Sequence, residues 1–324
     1  MTAPTQLTYR QSSSDRGHHR HPPARPRTTT HLIAPADNPK ATELVIRIRH
    51  LSHCRPQPYN PARHRGEPMT SFVQSADGTP IAYEVQGTGP TIVLVDGAMC
   101  FRGVGPMRSL AAALGHALRV VVYDRRGRGE SADTLPFGVD REIQDLAAIA
   151  EAVGEPVTLF GMSSGGALSL RAAAALDAIT RVAVYEPPFM PEQAITGAVA
   201  YTTALADALA CGDRGGAVEA FLLRVGTPPQ AISGIRRSPA WAGMEKIAPT
   251  LAYDDAAMGD SRVPPMNGLS AEVLALAGSA SPGFLQYGAR AVAEVTGGRF
   301  ELLTGETHDV SPATAAESLI RFLR

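Results

Sequence analysis

Little in this chain can staple it or charge it. Cysteine is scarce: Cys54, Cys100 and Cys211 are odd in number and unrelated in spacing. They predict neither a disulfide framework nor a metal site, and make a reducing cytoplasm the default compartment. Net charge is nearly absent, at -1 over 324 residues, so no strong field draws the whole chain to nucleic acid or to a membrane surface. Uninterrupted apolar runs stay well short of the roughly 18 residues needed to span a bilayer. What remains is a chain that is 44% hydrophobic, ample for one large domain with a full core.

The small net charge conceals an uneven distribution. Residues 1–68 hold 11 Lys and Arg against 4 Asp and Glu, and seven of the nine histidines. This segment is rich in Pro, Arg, His and Ser, with a modest apolar patch at Leu44 to Ile48. Such a composition buries too little apolar surface to offset its ordering entropy, so disorder is expected. It lacks the apolar stretch of a secretory signal and the amphipathic helix of a transit sequence. With few aromatics for stacking, it also makes a poor nucleic-acid module. Met69-Thr70-Ser71-Phe72 leads directly into folded-looking sequence, so Met69 is the preferred start of the functional domain, residues 69–324.

From Thr79 onward strands alternate with helices. Ile81 to Val85 alternates like an antiparallel strand after the turn at Asp77-Gly78. Thr91 to Val95, Arg119 to Tyr123, Val157 to Phe160, Val182 to Tyr185, Val273 to Ala277 and Phe300 to Leu303 are short apolar runs, as expected for strands buried on both faces. Helical patterns cover Met107 to Leu118, Asp140 to Val153, Ser164 to Leu176, Pro282 to Val295 and Ala313 to Leu323. The order predicts an α/β fold with a mainly parallel, doubly wound sheet. Strands stop across residues 188–265, where helical patterns at Ala194 to Ala210 and Gly216 to Val225 read as a lid over the strand C-termini. Tyr201, Phe221, Trp241 and Met244 either line a pocket there or hold the lid together.

One stretch carries chemistry. Val157 to Phe160 runs into Gly161-Met162-Ser163-Ser164-Gly165, followed by an Ala- and Leu-rich helical run. A serine on a strained strand-to-helix turn has its Oγ lifted above the sheet edge, which makes Ser163 the candidate nucleophile. The Ser164 N–H at the helix start suits a developing oxyanion. A neutral hydroxyl needs a base, and after Met69 only His116 and His308 remain. His116 falls in the helix before the Val120 strand and reads as structural. His308, in the loop Thr304 to Val310 past the last strand, is the candidate base.

These residues resemble the α/β-hydrolase superfamily, in its lid-bearing branch of small esterases, haloperoxidase-like enzymes and dehalogenases. The resemblance rests on Gly161 to Gly165, on Asp124-Arg125-Arg126-Gly127-Arg128-Gly129-Glu130-Ser131, and on Gly305 to His308. It covers roughly Phe72 to Arg324, and the second motif reads as a structural fold marker carried by turn-forming glycines. The resemblance implies a serine, a histidine and an acid following the strand at Val273 to Ala277. No Asp or Glu occurs between Val273 and Ala293, so that position is vacant. Glu186, one strand earlier and directed by Pro187 and Pro188, is the candidate acid. Some dehalogenases of the superfamily place their acid there. Failing it, Ser281 or a water supports His308, or a Ser-His dyad operates. The resemblance also implies a second oxyanion donor after the strand at Thr91 to Val95. That is Ala98, with Gly97 allowing close approach and Asp96, where the family usually has His, as a supporting hydrogen-bond acceptor.

The expected activity is a cofactor-free, metal-free serine hydrolase acting on a small ester, thioester or lactone through an acyl-enzyme. Dehalogenases and epoxide hydrolases use an Asp where this chain has Ser163, which speaks against an alkyl-enzyme mechanism. A non-catalytic small-molecule binder on the same fold and a carbon–carbon bond hydrolase are the alternatives. The expected partner is a small acyl compound, with no nucleic acid and no membrane. Oligomeric state is silent in the sequence.

Overall fold

The computed structural model describes residues 69–154 and 156–324. The basic segment 1–68, expected to be disordered, lies outside the described residues. The described chain forms an eight-stranded sheet of β1 (Ser71–Gln74), β2 (Pro80–Gln86), β3 (Thr91–Val95), β4 (Arg119–Tyr123), β5 (Val157–Met162), β6 (Ile179–Tyr185), β7 (Glu272–Gly278) and β8 (Arg299–Leu303). The spatial order is β1-β2-β4-β3-β5-β6-β7-β8. β1 and β2 run antiparallel, and β3 to β8 pair in parallel. The short edge strand β1 was not expected from its four mostly exposed residues.

Alternation along the central strands explains why the sheet is covered twice. In β3, Val93 and Val95 join one core while Ile92 and Leu94 join the other; β4 divides Val121 and Tyr123 from Val120 and Val122 in the same way. Successive side chains of a strand point to opposite faces, so an all-apolar strand needs helices on both. The first face is covered by α2 (Val139–Val153), α3 (Ser164–Ala175) and α9 (Gly283–Thr296), through Leu146, Ile149, Leu168 and Val292. The second is covered by α1 (Met107–Leu114) and α10 (Pro312–Leu323), through Leu110, Leu114, Leu319 and Phe322. His116 lies in the exposed turn after α1 and not inside the helix as expected, because α1 ends at Leu114.

Between β6 and β7 the helical insertion, expected to be a lid, contains α4 (Ile195–Ala210), α5 (Arg214–Arg224), α6 (Pro229–Arg236), α7 (Trp241–Ile247) and α8 (Leu251–Met258). The last three were not expected: they span only seven or eight residues each, too short for a helical period to declare itself. The lid has its own small core around Leu205, Leu222, Ile235 and Trp241, with Tyr201, Phe221 and Met244 packed against it. These aromatic and sulfur side chains therefore hold the lid together. Ala98 and Met99, from the loop after β3, pack against the same cluster.

Candidate active site

Ser163 sits at the strand order's reversal, between β5 and α3, beside the loop that leaves β3. Its backbone has φ 55° and ψ -128°, a conformation that costs a non-glycine residue on the order of 1–3 kcal/mol and persists only where neighbours impose it. The Ser163 N–H donates to the Tyr185 carbonyl at 2.9 Å, and the Ser163 carbonyl accepts from the Gly166 N–H at 2.9 Å. The flanking glycines are required by contact. A Cβ on Gly161 would lie 2.3 Å from the Gly165 carbonyl oxygen, and a Cβ on Gly165 would lie 2.3 Å from that of Val95. Strand, turn and helix thus meet backbone to backbone, which is what forces the serine outward.

His308 lies in the loop between β8 and α10, at the same sheet edge. Its Nδ1 is 2.7 Å from Glu186 Oε2. Glu186 is fully buried, with φ 47°, directly after β6. Its other oxygen, Oε1, accepts from the Gly278 N–H at 2.8 Å, and its own N–H donates to the Leu276 carbonyl at 3.0 Å. Both carboxylate oxygens are therefore committed, one to the imidazole and one to β7. Such a carboxylate selects the tautomer with the proton on Nδ1 and leaves Nε2 to accept one. The end of β7 takes part through its backbone. A Cβ on Gly278 would stand 2.2 Å from the Glu306 carbonyl oxygen, so the end of β7 packs directly on the histidine loop and contributes its N–H in place of a side chain. The Tyr185 hydroxyl, donating to the Thr307 carbonyl, pins the loop from below. Ser281, the other candidate support, is passed over for Glu186.

The loop Asp96-Gly97-Ala98-Met99-Cys100 crosses in front of the serine: a Cβ on Gly97 would lie 3.1 Å from Ser163 Cβ and 3.8 Å from its Oγ. Its carbonyls turn the other way. Gly97 accepts from Arg128 Nη1 at 2.7 Å, Cys100 from the same nitrogen at 3.3 Å, and Asp96 from Arg125 Nη1 at 3.2 Å. The Asp96 side chain departs from expectation. Both of its oxygens are buried without a hydrogen-bond partner among the described residues. Burial pushes its carboxyl up to about 7, against the pull of Arg128 and Arg125.

The alpha/beta hydrolase family model matches residues 87–321. The chain belongs to the alpha/beta hydrolase family. An alpha/beta hydrolase from Sphaerobacter thermophilus DSM 20745 is 42% identical, with a TM-score of 0.69 over 78% of this chain and 100% of that one. A hydrolase from Pseudomonas aeruginosa PA01 (20% identity, TM-score 0.60, 78% and 98% covered) and an esterase from Exiguobacterium antarcticum (17%, 0.59, 79% and 99%) share the fold. No curated protein matches the chain.

Within this hydrolase, the Asp124 to Ser131 loop does more than turn. Arg125, Arg126 and Arg128 are almost fully buried. Arg125 grips Glu142 of α2 through Nε at 2.7 Å and Nη2 at 2.8 Å, and its Nη1 lies 2.6 Å from Asp254 Oδ1 of α8. Arg128 donates through Nη2 to Asp254 Oδ2. Asp254 also accepts from Ser164 Oγ at 2.8 Å, and so joins the lid to the turn that carries Ser163. Burial alone would raise the Asp254 carboxyl; Arg128 and Arg125 outweigh it and hold the group below its ordinary value. The sequence held one signal for this cluster: three arginines within four residues of a structural turn call for carboxylate partners once the fold buries them. It did not say which ones.

Among the described residues no group of three or more His, Cys, Asp or Glu is arranged to hold a metal ion. No described helix is long and apolar enough to cross a membrane.

Proposed function

We propose that this chain is a cofactor-free serine hydrolase that cleaves a small ester, thioester or lactone through an acyl-enzyme. The observation that carries the reading is the 2.7 Å contact between His308 Nδ1 and the buried Glu186, at the sheet edge where a strained serine stands. Ser163 Oγ attacks the carbonyl carbon while His308 Nε2 takes its proton. Glu186 keeps the imidazole in the required tautomer and stabilises the imidazolium. Collapse of the tetrahedral intermediate returns the proton to the leaving oxygen or sulfur. Water then repeats the sequence on the acyl-enzyme. The Ala98 and Ser164 N–H groups receive the oxyanion. The apolar lid cluster that touches Ala98 and Met99 favours a compact acyl group. A carboxylate in contact with the histidine supports an enzyme over a binder on the same fold, since a binding pocket has no use for an oriented base.

The test is covalent labelling by a fluorophosphonate probe. Wild type labels; Ser163→Ala does not; His308→Ala and Glu186→Gln label more slowly by about 10³-fold or more, as removal of a triad member implies. A folded wild type that resists the probe would sink the mechanism.

A further inference from the structure

Arg128 and Asp254 lie outside the proton-transfer chemistry, yet both reach the groups that would hold the oxyanion. Arg128 uses every nitrogen of its guanidinium. Nε donates to Thr250 Oγ1 at 3.0 Å, Nη1 to the Gly97 and Cys100 carbonyls, and Nη2 to Asp254 and, at 3.4 Å, to the Thr250 carbonyl. The Gly97 carbonyl belongs to the same peptide as the Ala98 N–H. A trans peptide is planar, with its N–H and C=O opposed, so fixing the carbonyl on Arg128 fixes the Ala98 N–H away from the guanidinium. The second donor is tied in from the other side. Asp254 Oδ1 accepts from the hydroxyl of Ser164, the residue whose own N–H opens α3. One lid carboxylate therefore anchors the arginine that orients the first donor and the side chain that steadies the second.

We propose that Arg128 and Asp254 are positioning residues for the oxyanion hole, and that seating of the lid helix α8 sets the hole; this rests on Ser163 being the nucleophile. When α8 lifts, Ala257 and Met258 leave the first core, and Arg128 and Arg125 lose a shared, desolvated counter-ion. A buried guanidinium without a partner draws in water or moves, and the Gly97–Ala98 peptide loses its clamp. A closed lid and a competent hole are then one state. An ester bound under an open lid meets a serine without its electrostatic partner.

Arg126 supplies the control. It sits on the same loop and is equally buried, but it pairs with Asp145 and Asp77 on the side away from the oxyanion loop. Hydrolysis of 4-nitrophenyl acetate and hydrogen–deuterium exchange over residues 97–100 are measured for wild type, Arg128→Lys, Asp254→Asn, Ser164→Ala and Arg126→Lys. Arg128→Lys and Asp254→Asn are expected to lower kcat about 30–100-fold, somewhat less than outright removal of an oxyanion donor, with KM little changed. They are also expected to speed exchange across 97–100. Ser164→Ala, which keeps the backbone donor and covers the case in which Asp254→Asn does not fold, lowers kcat several-fold. Arg126→Lys loses thermal stability but keeps kcat and loop protection. Wild-type protection of residues 97–100 in Asp254→Asn, or an equal kcat loss in Arg126→Lys, would overturn the proposal. Ser163→Ala with full ester hydrolysis would overturn the nucleophile assignment itself. An inactive Ser163→Ala beside Asp254→Asn at wild-type kcat would overturn the positioning pair alone.

Discussion

The sheet and the lid are held by different forces, and the candidate site lies on the seam between them. The sheet's strands are apolar on both faces and feed two extended cores. The lid's helices gather a much smaller cluster around Trp241 and meet the sheet layer through α8, where Ala257 and Met258 join the first core and Asp254 is gripped by Arg125 and Arg128. Apolar burial is non-directional and scales with area, so the sheet tolerates many small losses. A buried ion pair depends on geometry and on both partners being present. The ionic part of this joint can therefore be lost by one change that leaves the sheet's cores intact. Two buried aspartates mark the seam. Asp254, with three donors, is held below its ordinary value; Asp96, with none, is pushed up to about 7.

The hardest break on the sheet side is Gly161→Ala, whose new Cβ would meet backbone at 2.3 Å and Ser169 Oγ at 2.4 Å. We expect a loss above about 4 kcal/mol, read as failure to fold or as a large fall in the denaturant midpoint. An alanine variant melting like wild type would mean that the elbow is looser than its contacts imply. On the lid side, Trp241→Ala removes the largest side chain of the small core and is expected to cost about 3 kcal/mol. That loss should appear locally, as faster exchange and proteolysis between residues 195 and 258, with the sheet's global midpoint moving much less. Global unfolding of equal size would show that lid and sheet are one cooperative unit.

The smallest effect sharpens the seam. Asp96 has a folded value near 7 against an ordinary value of 3.8, so the native state keeps a proton that the unfolded state has released. Its contribution is fully present at low pH and is lost as pH rises toward 7. Wild type should lose on the order of 2 kcal/mol relative to Asp96→Asn between pH 5 and pH 7, measured as the difference of two denaturation curves. Parallel pH dependences would mean that Asp96 titrates normally.

Legibility followed the range of the interaction. The strand–turn–helix around Ser163 was readable because strand, glycines and helix are consecutive, and the glycines' contacts are set by that local turn. His308 was readable because the described chain offers just one other histidine, His116. The short helices α6 to α8 were not, since seven or eight residues carry too little period and owe their form to packing around Trp241. The loop from Asp124 to Ser131 was read through its glycines, while its arginines make the longest-range contacts of the site.

By itself, the sequence determined a mainly parallel sheet buried on both faces, a serine at a forced turn, and a histidine past the last strand, because each is written in neighbouring residues or in plain scarcity. Only the tertiary structure decided that Glu186, 122 residues from His308, is the carboxylate that meets it. It alone decided that Asp254 meets Arg128, because a buried charge takes the partner that the fold delivers, and the spacing of residues along the chain does not record that delivery.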